Sequence, residues 1–195
     1  MTRKLLETYN KNMRVIAGKA RSIPLMSVEG LDTRPTTDRI KETLFNMLQN
    51  ELADCLFIDL FSGSGGIGIE ALSRGARKAI FVEKAPKAVA CIKANLEKTK
   101  LEADAVVMAA DAVSAVYRLD GGEPADFIFM DPPYNQQLEQ HVLEALKNSS
   151  LVDEYTTIII EADLHTDFSY AEDLGYEITK QKKYKTNQHV FLERA

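Results

Sequence analysis

The sequence of 195 residues has no tryptophan, only three histidines and only two cysteines. Cys55 and Cys91 are too few for a disulfide framework, and together with His141, His165 and His189 they lack the spacing of a metal site. Each cysteine falls in an apolar pattern, so we expect both to be core residues and expect no bound metal. No apolar run approaches the roughly 18 residues needed to cross a bilayer, and the start lacks the apolar segment of a signal peptide. These absences predict a cytoplasmic protein with no membrane partner.

The charge is unevenly distributed along a chain that is long enough for one sizeable core. The net charge is −5, which is unfavourable for binding nucleic acid. Residues 1–41 nevertheless contain nine Lys and Arg against four Asp and Glu, a net +5, so the remaining chain carries −10. A basic arm can bind a polyanion by releasing counterions, and a solvated surface of mixed charge explains the same counts equally well. Charge alone leaves both interpretations open.

A glycine-rich stretch at residues 55–68 is the feature around which the predicted fold is organised. The apolar run Cys55–Leu60 predicts a strand, and a helical pattern follows the glycines. Gly63, Gly65 and Gly68 have the G-x-G-x-x-G spacing of dinucleotide sites. This spacing alone does not distinguish NAD-type chemistry, another adenosyl cofactor and no ligand at all.

Five apolar runs separated by helical patterns predict a parallel sheet, because parallel neighbours need crossover connections. Two alternating segments near the C-terminus predict a closing hairpin that adds two strands, one of them antiparallel. The run Met13–Ala17, followed by breaks at Gly18 and Pro24, predicts a small N-terminal β-appendage. The predicted strands are residues 55–60, 79–83, 105–109, 127–130, 156–161, 176–180 and 189–193. A helix is predicted to start at Thr36 or Thr37 and to end near Asn50.

Ligands of open α/β sheets bind outside the carboxyl ends of the strands, so residues at these ends are the candidates for a site. Glu83 follows the second strand, 20 residues after Gly63, and can accept both hydroxyls of an adenosine ribose or cap the next helix. Asp111 follows the third strand and can accept from an adenine amine or be an ordinary N-cap. Both alternatives stay open for each carboxylate.

Two consecutive prolines hold the turn Asp131-Pro132-Pro133-Tyr134 stiff directly after the fourth strand. The exocyclic amine of a base is a poor nucleophile, because its lone pair is delocalised into the ring. The Asp131 carboxylate and the Pro132 carbonyl can accept both N–H groups and favour a pyramidal amine that attacks an electrophile. The Tyr134 ring offers a stacking surface for the base. An isolated match of four residues is often only a turn, but this position in the fold predicts amine chemistry.

These motifs resemble those of S-adenosylmethionine-dependent amino-methyltransferases. More narrowly, residues 13–21 and 31–46 are similar to the RsmD family, which methylates the N2 amine of a guanine in 16S ribosomal RNA. The similarity extends from about Met13 to Leu192, and its most specific part is the segment Arg34-Pro35-Thr36.

The resemblance implies a Rossmann-like seven-stranded methyltransferase sheet, S-adenosylmethionine as cofactor, and 16S rRNA in the assembling small subunit as partner. The expected organisation is a flexible extension at 1–12, the β-appendage, an RNA-contacting loop and a helix at 13–50, and the methyltransferase domain at 51–195. No apolar stripe is left over for a dimer, so we expect a monomer.

The resemblance and the strand-end rule together assign the site residues. Asp59 is expected near the ammonium of the methionine moiety, and the expected catalytic residues are Asp131, Pro132, Pro133 and Tyr134. The expected cofactor-binding residues are Asp59, Phe61, Ser62, Gly63, Ser64, Gly65, Glu83, Lys84, Asp111 and Ala112. The expected RNA-binding residues are Arg14, Lys19, Arg21, Arg34, Thr36 and Arg39.

Alternatives remain open for the function, for one loop and for the lysines of the C-terminal hairpin. One alternative function is that of another amino-methyltransferase, which acts on DNA adenine or on a protein glutamine. The others are a nicotinamide-dependent oxidoreductase and a non-catalytic RNA-binding protein that retains the fold. The loop at Arg34–Arg39 either covers cofactor and base or is ordinary loop and cap structure. Four lysines of the C-terminal hairpin either contact RNA or protect a sheet edge from aggregation: Lys180, Lys182, Lys183 and Lys185.

Overall fold

A computed structural model describes residues 13–28, 38–134 and 136–195. The residues outside these ranges include the predicted extension at 1–12 and most of the predicted loop before the first helix. In chain order the elements are α1 Asp38–Leu48, β1 Leu56–Asp59, α2 Gly66–Arg74, β2 Lys78–Glu83, α3 Pro86–Thr99, β3 Ala105–Ala109, α4 Ala112–Leu119, β4 Phe127–Met130, α5 Leu138–Leu146, β5 Thr157–Asp163, α6 Tyr170–Asp173, β6 Tyr176–Lys183 and β7 Asn187–Arg194.

The strands form one seven-stranded sheet in the order β3-β2-β1-β4-β5-β7-β6. The pairs among β1 to β5 are parallel, and β7 is antiparallel to both of its neighbours, β5 and β6. The mostly parallel α/β sheet with one antiparallel strand from a C-terminal hairpin is therefore confirmed. The strand order reverses between β1 and β4, which places the topological switch point of the sheet there.

Two hydrophobic clusters cover the two faces of the sheet. One face packs against α1, α2 and α3 and includes Phe57, Phe129 and Phe191, so we call it the α2 face. The other packs against α4, α5 and α6, so we call it the α4 face. Alternating residues of each strand point to opposite faces, and the central strands are buried on both.

Most predicted elements appear with bounds close to those expected from the sequence. The bounds of β3, β4 and α5 agree with the prediction, whereas β6 and β7 are longer and α6 was not predicted. Cys55 and Cys91 are both buried and unpaired, as expected. Residues 13–28 contain no regular strand, only a single antiparallel bridge between Arg14 and Pro24. No helix among the described residues is long and apolar enough to span a bilayer.

A buried carboxylate on α2 attaches the N-terminal segment and α1 to the sheet. Glu70 is fully buried and accepts from the backbone amides of Ile16 at 2.8 Å and Ala17 at 3.0 Å. It also pairs with Arg74 at 2.8 Å and with Lys41 of α1 at 3.4 Å. Burial lowers the pKa of the Lys41 ammonium, and the Glu70 carboxylate opposes this shift.

This arrangement changes the interpretation of the basic N-terminal region. Lys41 was counted in its positive charge, but its side chain is buried, pairs with Glu70 and donates to the Arg14 carbonyl at 2.6 Å. The Arg14 guanidinium is paired with Asp38 at 3.0 Å. At least two of the nine basic residues therefore make internal contacts.

Replacing Glu70 by Gln is expected to lower the free energy of unfolding by on the order of 3 kcal/mol, because a buried ion pair is broken and its cations lose their partner. Urea unfolding monitored by circular dichroism measures the change. Glu97→Gln on the exposed side of α3 removes the same charge and should change stability by less than about 0.5 kcal/mol. Equal stability of both variants would show that this cluster does not hold the N-terminal segment.

Candidate functional site

The carboxyl ends of β1 and β4 lie side by side at the switch point, where an open α/β sheet forms a crevice. Asp59 ends β1 and Asp131 directly follows β4. Asp59 pairs with Phe129 in the parallel register, so the side chains of Asp59, Phe129 and Asp131 share the α2 face by alternation. The topology thus brings two carboxylates that are 72 positions apart in sequence to one crevice.

The Asp59 carboxyl is buried with little compensation from the protein. The residue is only 1% exposed, and within the described part of the chain neither carboxyl oxygen has a hydrogen-bond partner. Burial raises its pKa to about 7, although the nearby amides of Gly68 and Phe61 oppose the shift without reaching hydrogen-bond geometry. A buried acceptor with no donor is costly, so this group fits a ligand that brings a donor or a positive charge.

The loop after β1 is fixed by its own backbone. Ser62 donates its hydroxyl to the Asp59 carbonyl at 2.8 Å, and the Gly65 amide donates to the Ser62 carbonyl at 2.7 Å. Gly65 has φ of 84°, a left-handed conformation that side chains disfavour. The loop is therefore a tight turn that leads directly into the N-terminus of α2.

Glu83 joins the glycine loop to the end of β2. Its carboxylate accepts from the Gly63 amide at 3.0 Å and from the Ala85 amide at 2.8 Å. Each oxygen thus has one backbone donor, and a carboxylate has about four acceptor positions in total. Glu83 holds the loop and still has acceptor capacity for hydroxyl groups.

The third glycine of the motif has a packing role. A Cβ on Gly68 would collide with the ring of Phe81 on β2, so glycine lets α2 pack closely on the sheet.

Behind the loop, the buried Asn95 side chain donates to the Ser64 carbonyl at 2.9 Å. The same side chain accepts from the Met26 amide at 2.8 Å and donates to the Met26 carbonyl at 2.9 Å. The loop, α3 and the N-terminal segment are thereby tied together by one amide.

Asp131 faces two other acidic groups. Burial raises the pKa of its carboxyl well above the usual range, and the charges of Glu161 and Asp59 raise it further. Glu161 lies on β5, one position beyond the pair Met130–Ile160, so it is next to Asp131 across the sheet. The crevice therefore concentrates negative charge in a region of low dielectric, where like charges favour protonation.

A buried polar network lies behind Asp131 that the sequence analysis missed. The Glu161 carboxylate contacts His189 Nε2 at 3.0 Å and accepts from Asn187 Nδ2 at 2.6 Å. His189 Nδ1 lies 3.1 Å from the Tyr184 hydroxyl. Glu161 ends the predicted fifth strand, so the strand-end rule could have found it. The β7 members of this network, Asn187 and His189, could not be found in the same way, because the sequence alone does not give the antiparallel register of β5 and β7.

The remaining predicted residues occupy varied positions. Asp111 is exposed and accepts from the Ser114 amide at 2.9 Å, which makes it the N-cap of α4. This hydrogen bond lowers the pKa of Asp111. In the Asp131–Tyr134 turn, Pro132 is buried, Pro133 is exposed and Tyr134 is half-buried. Of the other cofactor candidates, Phe61 packs against the α4-face cluster, Ala112 is buried and Lys84 is exposed.

The predicted RNA-binding residues that the structure describes lie on the N-terminal segment and on α1. Lys19 and Arg21 are exposed, and their segment is attached near Ser73, where the Lys19 amide donates to the Ser73 carbonyl at 2.7 Å. Ser73 is seven residues after Gly66, so it lies about 10 Å along α2 from the glycine loop. Arg14 and Arg39 are also exposed, near the start of α1, while Arg34 and Thr36 lie outside the described residues.

The histidines have ordinary structural positions. His189 is buried and hydrogen-bonded, His165 pairs with Asp163 at the surface, and His141 is exposed on α5. Within residues 13–28, 38–134 and 136–195, no group of histidine, cysteine and acidic side chains could hold a metal ion.

Comparison with known proteins identifies the family to which this chain belongs. A family model described as "Conserved hypothetical protein 95" matches residues 13–193. The chain belongs to this family, the RsmD family of methyltransferases. The chain is 40% identical over 152 residues to "Putative rRNA methyltransferase YlbH" of Bacillus subtilis, covering 77% of this chain and 83% of the relative.

Two further comparisons agree with this assignment. "Ribosomal RNA small subunit methyltransferase D" of Haemophilus influenzae is 33% identical over 165 residues, which cover 82% of this chain and 84% of the relative. A solved structure of "Putative methyltransferase yhhF" from Escherichia coli superimposes with a TM-score of 0.79 at 30% identity, covering 93% of this chain and 97% of that one. The fold and the methyltransferase family are therefore shown by similarity in sequence and in structure.

The uncompensated burial of Asp59 predicts an unusual dependence of stability on pH. Its folded pKa of about 7 is above the unfolded value of 3.8, so the native state binds this proton more tightly. The proton on Asp59 therefore adds to the free energy of unfolding below pH 4, and this addition is lost as the pH rises towards 7. Asp59→Asn should therefore be more stable than wild type at pH 8 by a few kcal/mol, at about 1.4 kcal/mol per pKa unit, and equal to it near pH 4.

Thermal or urea unfolding across pH 4–8 measures this difference. The exposed Asp111, whose pKa is lowered, is the matched control: Asp111→Asn should change the pH dependence only below about pH 4. A wild type that is at least as stable as Asp59→Asn at pH 8 would show that the Asp59 carboxylate is compensated.

Proposed function

We propose that this chain transfers the methyl group of S-adenosylmethionine to the exocyclic N2 amine of a guanine in 16S rRNA of the small ribosomal subunit. Family membership supports methyl transfer, and the relatives named small subunit methyltransferase D support ribosomal RNA as the substrate class. The observation that carries the proposal is the pair of carboxyls with raised pKa, the buried Asp59 and the half-buried Asp131, on the two sides of the switch point.

The residues of the crevice fit the cofactor. The unpartnered Asp59 oxygens suit the ammonium of its methionine part, and the remaining acceptor positions of Glu83 suit the ribose hydroxyls. The Gly63 and Gly65 amides already donate to Glu83 and Ser62, so the loop has fewer free donors for the pyrophosphate of a dinucleotide. This supports S-adenosylmethionine over a nicotinamide cofactor.

Asp131 and its turn position the nucleophile. When bound, the cofactor supplies an electrophilic methyl group on a sulfonium. The Asp131 carboxylate and the Pro132 carbonyl accept the two N–H groups of the target amine, and Tyr134 stacks on the base. In the bound complex the methyl group would move from sulfur to the amine nitrogen, with the neutral thioether S-adenosylhomocysteine as leaving group and the amine proton passing to solvent. The rate depends mainly on holding the amine in line with that methyl group.

Asp131→Asn should lower methyl transfer by about 10²–10³-fold, because the amine loses a charged acceptor that acts in the transition state. The measurement uses labelled S-adenosylmethionine and small subunits from cells that lack the enzyme, followed by mapping of the modified nucleotide. Thermal shift should show that the variant still binds S-adenosylmethionine. Label in a guanine N2 position of 16S rRNA supports the proposal.

Three other results would contradict the proposed function. Label in DNA adenine or protein glutamine would indicate a different amino-methyltransferase, and stabilisation by NAD alone would indicate an oxidoreductase. RNA binding by wild type with no transfer to any of these substrates would indicate a non-catalytic protein.

The charge of Glu161 provides a second test at the same site. Glu161 raises the pKa of Asp131, so Glu161→Gln should lower that pKa and leave more Asp131 ionised at a given pH within its titration range. If the carboxylate form is active, the acidic limb of the kcat/KM profile moves to lower pH. His189 and Asn187 keep a hydrogen-bonding partner in this variant.

The control is Glu97→Gln, which removes a charge far from the crevice and should leave the profile in place. Unfolding curves of both variants check that the fold is intact. An acidic limb that stays fixed, or moves to higher pH, would contradict an ionised Asp131 as the active form.

A further inference from the structure

The edge strand β6 changes the direction of its side chains at a β-bulge. Ile178 opposes Leu192, whereas Lys180 opposes the adjacent residue Phe191, so Thr179 is the additional residue. Leu192 belongs to the α4 face and Phe191 to the α2 face. Without the bulge, regular alternation from Ile178 would place Lys180 on the α4 face.

The bulge places two lysines on the face that carries the crevice. Lys182 opposes His189, and directly opposed residues of an antiparallel pair share a face. The ammonium of Lys180 lies 5.6 Å from the ring centroid of Phe191, consistent with the same face. Both side chains are exposed. We call Lys180 and Lys182 the site-face lysines.

The neighbouring Lys183 has the opposite orientation. It opposes Gln188, which itself opposes Ala162 of the α4-face cluster. Lys182 and Lys183 are therefore adjacent, exposed and equally charged, but they point to different sides of the sheet.

One row of side chains connects the crevice to the hairpin. Asp131, Glu161, His189 and Lys182 lie on the successive strands β4, β5, β7 and β6, all on the α2 face. Three strand spacings separate Asp131 from Lys182, about 14 Å between backbones. This distance places the site-face lysines near the nucleotides that flank a base held at Asp131.

The crevice is acidic. Four carboxyl groups lie at it, of which Asp59 and Glu161 are buried and Glu83 and Asp131 are partly exposed, and the whole chain has a net charge of −5. Phosphates can approach such a surface only where cations offset the negative charge. The site-face lysines supply two exposed cations beside the rim.

We propose that Lys180 and Lys182 bind phosphates of the RNA strand on either side of the target base. This inference rests on the proposed function, because it takes RNA as the substrate. Protection of the sheet edge against aggregation is the alternative role of these lysines, and it does not depend on the face to which they point. The orientation set by the bulge therefore separates the two roles.

The experiment compares Lys182→Gln with Lys183→Gln, and includes the double variant Lys180→Gln/Lys182→Gln. The probe is labelled 16S rRNA in small subunits from cells that lack the enzyme, titrated at several salt concentrations. Lys182→Gln should weaken binding about 3–10-fold and the double variant more. Each lost phosphate contact should reduce the slope of log K against log salt by about 0.7. Lys183→Gln, on the opposite face, should stay within twofold of wild type both in RNA affinity and in kcat.

The outcomes separate this inference from the proposed function. Equal effects of Lys182→Gln and Lys183→Gln, or no effect of the double variant, would overturn the inference while wild-type methyl transfer stands. Self-association of the double variant with unchanged RNA affinity would assign the lysines to edge protection and also overturn it. If wild type binds RNA through Lys182 but transfers no methyl group, the surface stands and the proposed function falls.

Discussion

The buried carboxylate of Glu70 is the interaction on which the arrangement around the crevice depends. It binds two backbone amides of the N-terminal segment and two cations, and it is located one turn after the glycine loop, near the start of α2. Breaking such a pair leaves charges in an apolar region, whereas exposed pairs contribute little. The N-terminal segment has no regular strand of its own, so its position relative to the loop relies on this contact, on Asn95 and on hydrogen bonds to Ser73.

The negative charge of the crevice has the opposite effect on stability. Asp59, Asp131 and Glu161 lie close enough to affect one another in a region with little water. Desolvation of acidic groups costs folding free energy that a well-packed apolar core would not lose. A cationic ligand relieves this cost only when it binds, so the same groups that weaken the free protein increase its affinity for such a ligand.

The sequence predicts the sheet and the main carboxylates well because both follow from local patterns. Apolar runs of four or five residues define β3 and β4, and the strand-end rule brings Asp59, Glu83 and Asp131 to one edge. Glu70 and Lys41 were missed because a charged residue in a helix is usually solvated, and only tertiary packing reveals the buried pair. His189 was considered as a metal ligand and rejected on spacing, and its contact with Glu161 depends on pairing between distant strands. The bulge at Thr179 has no signature in the sequence, so the faces of the lysines could not be predicted.

Asn95 has a consequence for how the molecule transmits movement. Its side-chain amide accepts from the N–H and donates to the C=O of one residue, Met26, which is the pattern that a neighbouring strand would provide. The remaining hydrogen of the amide reaches the glycine loop at Ser64. A displacement of either segment must therefore be followed by the other or break a buried hydrogen bond. Asn95 therefore couples the position of the glycine loop to that of the N-terminal segment, in addition to the contacts that α2 makes with the segment.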